Sequence, residues 1–285
     1  MPVPFIPADP TIPEVAAWLV NSTTDDPDIP ANQLTYTKLG GPATMTVSAS
    51  GQIAWTPTET HGPGNFLVTI LVEDDGTPVL RATNTFLLGV VESNTPPSLI
   101  PPASLAAMEL SPYSGQLGAS DPDLPANAHL FALLNGPSGL TVSPSGTVAW
   151  TPTEAQGPAN QVVTVLVTDI PAEGVTPITS TNSFTLVVGE TNTAPVFGTI
   201  TDPTLDELTP LSLTLTASDS DLPANTLTFS KVSGPAGLTV LPGGQVQWTP
   251  TELQGPSTNT VEVSVSDGGS PALTATATFQ ISVTE

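Results

Sequence analysis

Five acidic positions recur three times along this chain at fixed spacing, and the distance between copies is the length of a whole domain. Glu14, Asp26, Asp28, Glu59 and Asp74 return as Glu109, Asp121, Asp123, Glu154 and Asp169, and again as Glu207, Asp219, Asp221, Glu252 and Asp267, with internal steps of 12, 2, 31 and 15 residues each time. Trp55, Trp150 and Trp248 repeat with them at intervals of 95 and 98 residues, too long for a solenoid unit and suited to an autonomous module. The chain therefore divides into three modules, 1–94, 95–192 and 193–285, each with its own modest core.

Local patterning makes these modules all-β. In the third copy Leu211, Leu213 and Leu215 alternate with polar residues, as do Val261, Val263 and Val265, then Phe279, Ile281 and Val283; period-two alternation is the mark of a strand with one buried face. Turn signals at Gly40-Gly41-Pro42, Gly136-Pro137, Gly234-Pro235, Gly243-Gly244 and Asp267-Gly268-Gly269 separate such runs at the spacing of a seven-stranded Greek-key β-sandwich. No stretch has the pattern of a long helix. With 33 Pro and 23 Gly among abundant Val, Leu, Ile and Thr, the composition is that of strands and turns, not of a disordered chain.

Strand parity then sorts the acids. A first strand ends at Glu14, and a second of about 8 residues, a usual length, returns the chain to Asp26 and Asp28 at the opposite pole. The next 31 residues hold three strands, an odd number, so Glu59 lies with Glu14. One more strand carries the chain to Asp74, and a last one brings it back to Glu92. Each module thus presents three carboxylates at each pole, and Glu190 and Glu285 join the set as the counterparts of Glu92. In a head-to-tail row the lower set of one module meets the upper set of the next, where like charges left bare would repel or hold protons.

The charge balance, 26 acidic residues against 3 basic ones, disfavours nucleic acid and anionic lipid as partners and favours cations. The recurring candidates are all hard oxygen donors, with Asn32, Asn127 and Asn225 four residues after each Asp-x-Asp. That set suits calcium, which accepts six to eight oxygens in flexible geometry. Zinc and iron are disfavoured, because there is no Cys and the two His, His61 and His129, stand at non-equivalent positions. The plain alternative is a set of solvated turn acids; it accounts for one Asp-x-Asp but not for a charge sorted by strand parity in three copies.

These residues resemble the calcium motifs of cadherin repeats: a Glu before the second strand, Asp-x-Asp in the next loop, a Glu at the lower end, an Asp in the last upper loop, and an Asn-containing linker with Pro. The form resembled most is the bacterial and dystroglycan-type cadherin-like, or immunoglobulin-like, module, and the likeness runs over all three copies. It implies that the first junction draws on Glu14, Glu59, Glu92 and Asn94 with Asp121, Asp123, Asn127 and Asp169. The second would draw on Glu109, Glu154, Glu190 and Asn192 with Asp219, Asp221, Asn225 and Asp267, and each would hold two or three calcium ions. One departure stands out: Thr95 and Thr193 occupy the place where a cadherin linker usually supplies another Asp.

Other signals are weaker. The recurring Trp-Thr-Pro-Thr-Glu segments put Trp55, Trp150 and Trp248 on the same strand face as Ile53, Val148 and Val246, so a core anchor is expected in preference to a sugar-stacking platform. Pro57, Pro152 and Pro250 would then end that strand and present the Glu that follows. No recurring nucleophile and base exist, and carboxylate pairs repeated identically at module poles suit structure better than glycoside cleavage, so no enzyme is expected. Asn21-Ser22-Thr23 is a formal glycosylation sequon in one module alone.

The longest apolar stretch, near Phe86 to Val91, is far short of a membrane span, and the first residues carry no signal-peptide pattern. Met1-Pro2 falls in register with Pro97 and Pro195 at the module starts, which suggests an initiator Met on a three-module piece of a longer protein. The expected function is an extracellular or cell-surface rod whose neighbouring modules are locked by calcium, the stalk or repeat region of a surface adhesin or filament. The second reading is an adhesive module that binds glycan, or a second copy of itself, through one face.

Overall fold

A computed structural model of the chain describes residues 3–5, 9–26, 28–29 and 31–285; Met1 and Pro2, the inferred start of the first module, lie outside them. The described chain is all-β apart from two single-turn 3-10 segments, Glu154–Gln156 and Glu252–Gln254, and no helix in it is long and apolar enough to cross a membrane.

The first unit contains β1 (Val3–Phe5), β2 (Thr11–Pro13), β3 (Trp18–Asn21), β4 (Thr23–Asp25), β5 (Leu34–Gly40), β6 (Thr46–Val47), β7 (Gln52–Trp55), β8 (Gly64–Asp74) and β9 (Arg81–Val91). One sheet has the order β2-β9-β8-β5, and β3-β7-β6 faces it across the core. The opening segment serves both layers. β1 pairs antiparallel with β4, whereas β2 pairs parallel with β9. Counting β1 with β2 and β3 with β4 as single interrupted strands gives the seven of a Greek-key sandwich. Residues 98–189 and 196–284 repeat the same sheet orders and the same parallel pairing, Ala106–Met108 with Thr179–Gly189 and Thr204–Asp206 with Thr274–Thr284.

Alternation decides which face is buried. Val68, Ile70 and Val72 on β8 and Phe86, Leu88 and Val90 on β9 point inward, as do Val163, Val165 and Val167 in the second unit and Val261, Val263, Val265, Phe279, Ile281 and Val283 in the third. Each unit has its own cluster of such residues. Trp55, Trp150 and Trp248 are buried beside Ile53, Val148 and Val246, and their indole N–H groups donate to Thr44 Oγ1, Ser138 O and Ala236 O at 2.9, 3.1 and 3.2 Å. The Trp is a core anchor whose one polar atom is satisfied at the adjoining turn. The strand stops at the Trp, ahead of Pro57, Pro152 and Pro250, where no N–H is left to extend the ladder.

The two unequal repeat intervals have a local cause. The hairpin loop from Asp169 to Ile178 is three residues longer than its counterparts, Asp74 to Leu80 and Asp267 to Leu273, while the closing backbone pairs are the same.

Replacing Trp150 by Ala is expected to destabilise the second unit by about 3–5 kcal/mol, the usual cost of emptying a large aromatic site, and to leave the first and third units melting as before. Denaturant melts followed by far-UV circular dichroism, which reads all three units, and by the fluorescence of Trp18, Trp55 and Trp248, which reads only the first and third, check this.

Candidate metal centres at the junctions

The end of each interrupted opening strand fixes the first carboxylate. Parallel pairing of β2 with β9 ends as the Glu14 N–H donates to Val91 O at 3.1 Å, and Glu109 and Glu207 repeat the bond to Gly189 O and Thr284 O. This places Glu14 beside Glu92. The next residue turns back sharply: Val15, Leu110 and Leu208 have φ of 57, 56 and 61°, a left-handed conformation that is costly for residues with these side chains. Their N–H groups donate to Pro57 O, Pro152 O and Pro250 O at 2.8–2.9 Å, which tethers the loops bearing Glu59, Glu154 and Glu252 to the same pole.

Glu14, Glu59 and Glu92 consequently bring ligand atoms within 4.8 Å of one another, as do Glu109, Glu154 and Glu190. At the opposite pole Asp26, Asp28 and Asp74 form one such group, and Asp121, Asp123 and Asp169 another. The acids of these groups thus stand at the poles that strand parity predicts. In the third unit Glu207 is raised above the ordinary carboxylate range by burial and then by Glu252 and Glu285, so these three also share a pole.

The upper groups are set by their own loops. In each Asp-x-Asp the second Asp donates its N–H to the first, at 3.0 Å for Asp28 to Asp26 and 3.1 Å for Asp123 to Asp121 and Asp221 to Asp219, a side-chain turn that aims both carboxylates the same way. Asn32, Asn127 and Asn225 brace the second Asp. Asp74, Asp169 and Asp267 top the long hairpin, each accepting the N–H of Leu80, Ile178 or Leu273 at 2.7–2.9 Å.

Linker residues join the poles. Asn94 donates to Asp169 Oδ2 and to Thr176 O, both at 2.8 Å, and accepts from Asn127 at 3.2 Å; Asn192 does the same with Asp267, Pro271 and Asn225. Thr95 donates through both its N–H and its hydroxyl to Asp123, the latter at 2.6 Å, and Thr193 does so to Asp221. The threonines that stand in the place of an acid therefore add donors to the Asp loop. Across the second junction Leu222 N–H also reaches Glu154 Oε1 at 2.8 Å. The lower and upper sets meet electrostatically: Asp121 and Asp123 both act on Glu59, Asp123 acts on Glu92, and Asp221 acts on Glu190.

What the donors leave unmet defines the chemistry. Among the described residues, every buried carboxylate oxygen without a hydrogen-bond partner belongs to the recurring set: one each on Glu14, Glu59, Asp74, Glu109, Asp121, Glu154 and Asp219, and both on Glu92 and Glu190. Burial, then the adjacent Glu14, pushes Glu92 up to about 7, and burial, then Glu109, does the same to Glu190. Asp267 runs the other way. Burial raises it, but the N–H groups of Leu273 and Gly269 and the Asn192 amide together hold it below the ordinary Asp range. Clustered, unpaired hard oxygens of this kind can coordinate a divalent cation such as Ca2+.

Four glycines belong to this architecture, and only Gly269, in Asp267-Gly268-Gly269, is marked by a turn signal in the sequence. A Cβ on Gly62, Gly157 or Gly255 would strike the carboxylate of Glu14, Glu109 or Glu207, and one on Gly269 would strike Asn192. The recurrence of a Gly-Pro after each Trp-Thr-Pro-Thr-Glu was the available signal. The hydrogen bonds from Ser93 and Thr191 N–H to Glu14 and Glu109 left none, because a backbone donor carries no residue preference.

Comparison with known proteins finds a family model that matches the third unit and a fold that is similar over all three. Residues 192–283 match the family model of the bacterial Ig domain. No curated protein matches the chain. Mouse cadherin-23 EC22–24 superposes with a TM-score of 0.60 at 21% identity, covering 99% of this chain and 98% of that one. Protocadherin gamma B2 extracellular cadherin domains 3–6 give 0.59 at 18% identity, covering 99% and 73%. Domains 1–5 of the same protocadherin give 0.61 at 18% identity, covering 99% and 60%. At these identities the likeness establishes the fold, tandem cadherin/Ig-like β-sandwiches.

The raised carboxyls fix a pH dependence. Glu92 and Glu190 bind protons more tightly in the folded chain than at their ordinary value of 4.5, so between about pH 4.5 and 7 the folded state holds more protons than the unfolded one. Stability in chelator is then fully present below that window and falls as pH rises through it. Thermal melts in chelator from pH 4.5 to 7.5 should show a falling midpoint, and millimolar calcium should flatten the trend.

Proposed function

We propose that this chain is a calcium-stiffened spacer: β-sandwich modules 1–94, 95–192 and 193–285 whose two junctions lock when carboxylates from both neighbours share calcium ions. The observation that carries this reading is the state of Glu92 and Glu190, each with both oxygens buried, unpartnered and facing acidic groups of the following unit. Glu14, Glu59 and Glu92 with Asn94 would hold the first site from one side and Asp121, Asp123, Asn127 and Asp169 from the other. Glu109, Glu154, Glu190 and Asn192 with Asp219, Asp221, Asn225 and Asp267 would form the second. Bound calcium supplies the positive charge that the protein lacks, and two or three ions per junction would balance the carboxylates gathered there.

The outermost groups, Asp26, Asp28 and Asp74 at one pole and Glu207, Glu252 and Glu285 at the other, are half sites. Each has the ligands of one module only and should bind calcium more weakly than either junction. A setting at the cell surface or outside the cell supplies the millimolar calcium that sites of this class require. The match of the third unit to a bacterial domain family supports a bacterial surface or secreted protein as the parent. A glycan-binding face has less support, since Trp18 and Tyr36 both pack against the hydrophobic core.

Two measurements test the junctions. Small-angle scattering of the intact chain should show a longer maximum dimension and a narrower shape distribution in calcium than in chelator, with a higher melting temperature; unchanged values in both would overturn the proposal. Gly157→Ala, which intrudes on Glu109 without removing a ligand, should weaken calcium binding at the second junction by roughly tenfold or more, the usual cost of disturbing the support of a metal ligand. Gly243→Ala, where no atom stands within 4 Å, serves as the control in calorimetric titration.

A further inference from the structure

Two departures from the threefold pattern meet at the first junction. The loop from Asp169 to Ile178, three residues longer than its counterparts, makes an added turn in which Val175 N–H donates to Ala172 O at 3.2 Å and Gly174 takes a φ of 91°. On the neighbouring unit Val91, 45% exposed, stands just before Glu92, where the other two copies have Gly189 and Thr284. Between them lies a cavity of about 580 Å³, with Pro63 and Val91 of the first unit on one side and Pro125, Ala172 and Val175 of the second on the other. At the second junction Val91 is replaced by Gly189 and the hairpin by the short Gly268-Gly269-Ser270 turn, so the parts that close this cavity belong to the first junction alone.

The volume suits a small organic molecule, and the seam between two domains is a usual place for such a pocket. Its aliphatic and proline walls favour a hydrocarbon chain taken out of water. The charge on it has one sign. Glu173, on the added turn, and Glu92 are the ionisable residues that line the cavity, and no Lys or Arg occurs between Arg81 and Lys231. Glu173 is also the one acid of the second unit outside the recurring set, so the junction does not claim it as a ligand. A carboxylate beside an apolar wall repels an anion and attracts a cation.

We propose that this cavity binds a small aliphatic ammonium ion, with its hydrocarbon chain between the Pro63–Val91 and Ala172–Val175 walls and its charged group at Glu173. The site goes beyond the calcium reading and takes none of its ligands for the charge contact, because Glu92 belongs to the junction set and Glu173 does not. Its two walls come from different units, so it exists only while the junction keeps this geometry.

Calorimetric titration of the intact chain with n-octylammonium chloride, in calcium and at an ionic strength that screens exposed charges, should show saturable binding with single-site stoichiometry. Octanol, which matches the chain, and tetramethylammonium, which matches the charge, should each bind several-fold more weakly, and octanoate should not bind. Glu173→Gln should weaken octylammonium binding by about two- to fivefold, the range expected for one partly exposed charge pair, and leave the calcium titration unchanged. Deleting Ala172, Glu173 and Gly174, which restores the loop length of the other two units, should abolish saturable binding. In methyl-detected NMR the ligand should move Val91 and Val175 and leave Val187, 52% exposed and outside the cavity. Equal octylammonium affinity in wild type and Glu173→Gln, equal affinity for octanol and octylammonium, or shifts that spread over exposed methyls without saturating would overturn the proposal. None of these outcomes turns on whether calcium lengthens the chain in scattering, so the two readings fail separately.

Discussion

Repulsion among carboxylates gathered at two junctions is the constraint on which the rest of this structure turns. Two unit charges 4.8 Å apart cost on the order of 3 kcal/mol at an effective dielectric constant of about 20, and each junction assembles several such pairs in a protein whose modules have little stability to spare. The chain offsets part of this with donors from Thr95, Asn94 and Asn127 at one junction and Thr193, Asn192 and Asn225 at the other. The remainder falls on Glu92 and Glu190, which have no donors and hold protons near neutral pH. A proton and a divalent cation are alternative answers to the same excess charge.

The sandwich serves this arrangement through its edge. The switch from antiparallel pairing in one sheet to parallel pairing in the other lets the opening segment end against the closing strand, and Glu14 thereby meets Glu92. The left-handed residue that follows is retained in all three units despite carrying Val or Leu. Its N–H bond draws in the loop that bears the third Glu. Strain held in place by the surrounding sheet thus positions the carboxylates, a recurring association of backbone strain with functional geometry.

The two junctions are built on one plan but are not copies. The hairpin of the second unit is three residues longer, so Thr176 O takes at Asn94 the place that Pro271 O takes at Asn192, and His129 replaces a core leucine beside Asp121 at the first junction. At the second, Glu154 takes a backbone N–H from Leu222. Small departures of this kind alter ligand supply without touching the cores, because they occur in loops and at strand ends and not on the inward faces that pack each sandwich.

The sequence by itself determined the module count, the all-β class, the inward faces of the strands, the burial of the three Trp residues and the pole on which each acid stands. All of these follow from periodicity: alternation names a face, an odd or even strand count names an end, and both are fixed by covalent spacing. Only the tertiary structure decided which carboxylate oxygens remain unpartnered, why Gly62, Gly157 and Gly255 admit no side chain, and that Thr95 and Thr193 brace the Asp loops. It also decided that His129 faces Asp121. These depend on contacts between residues as many as 82 positions apart and on backbone donors that any residue type supplies, so they have no local pattern to read and arise only when the units are folded and set end to end.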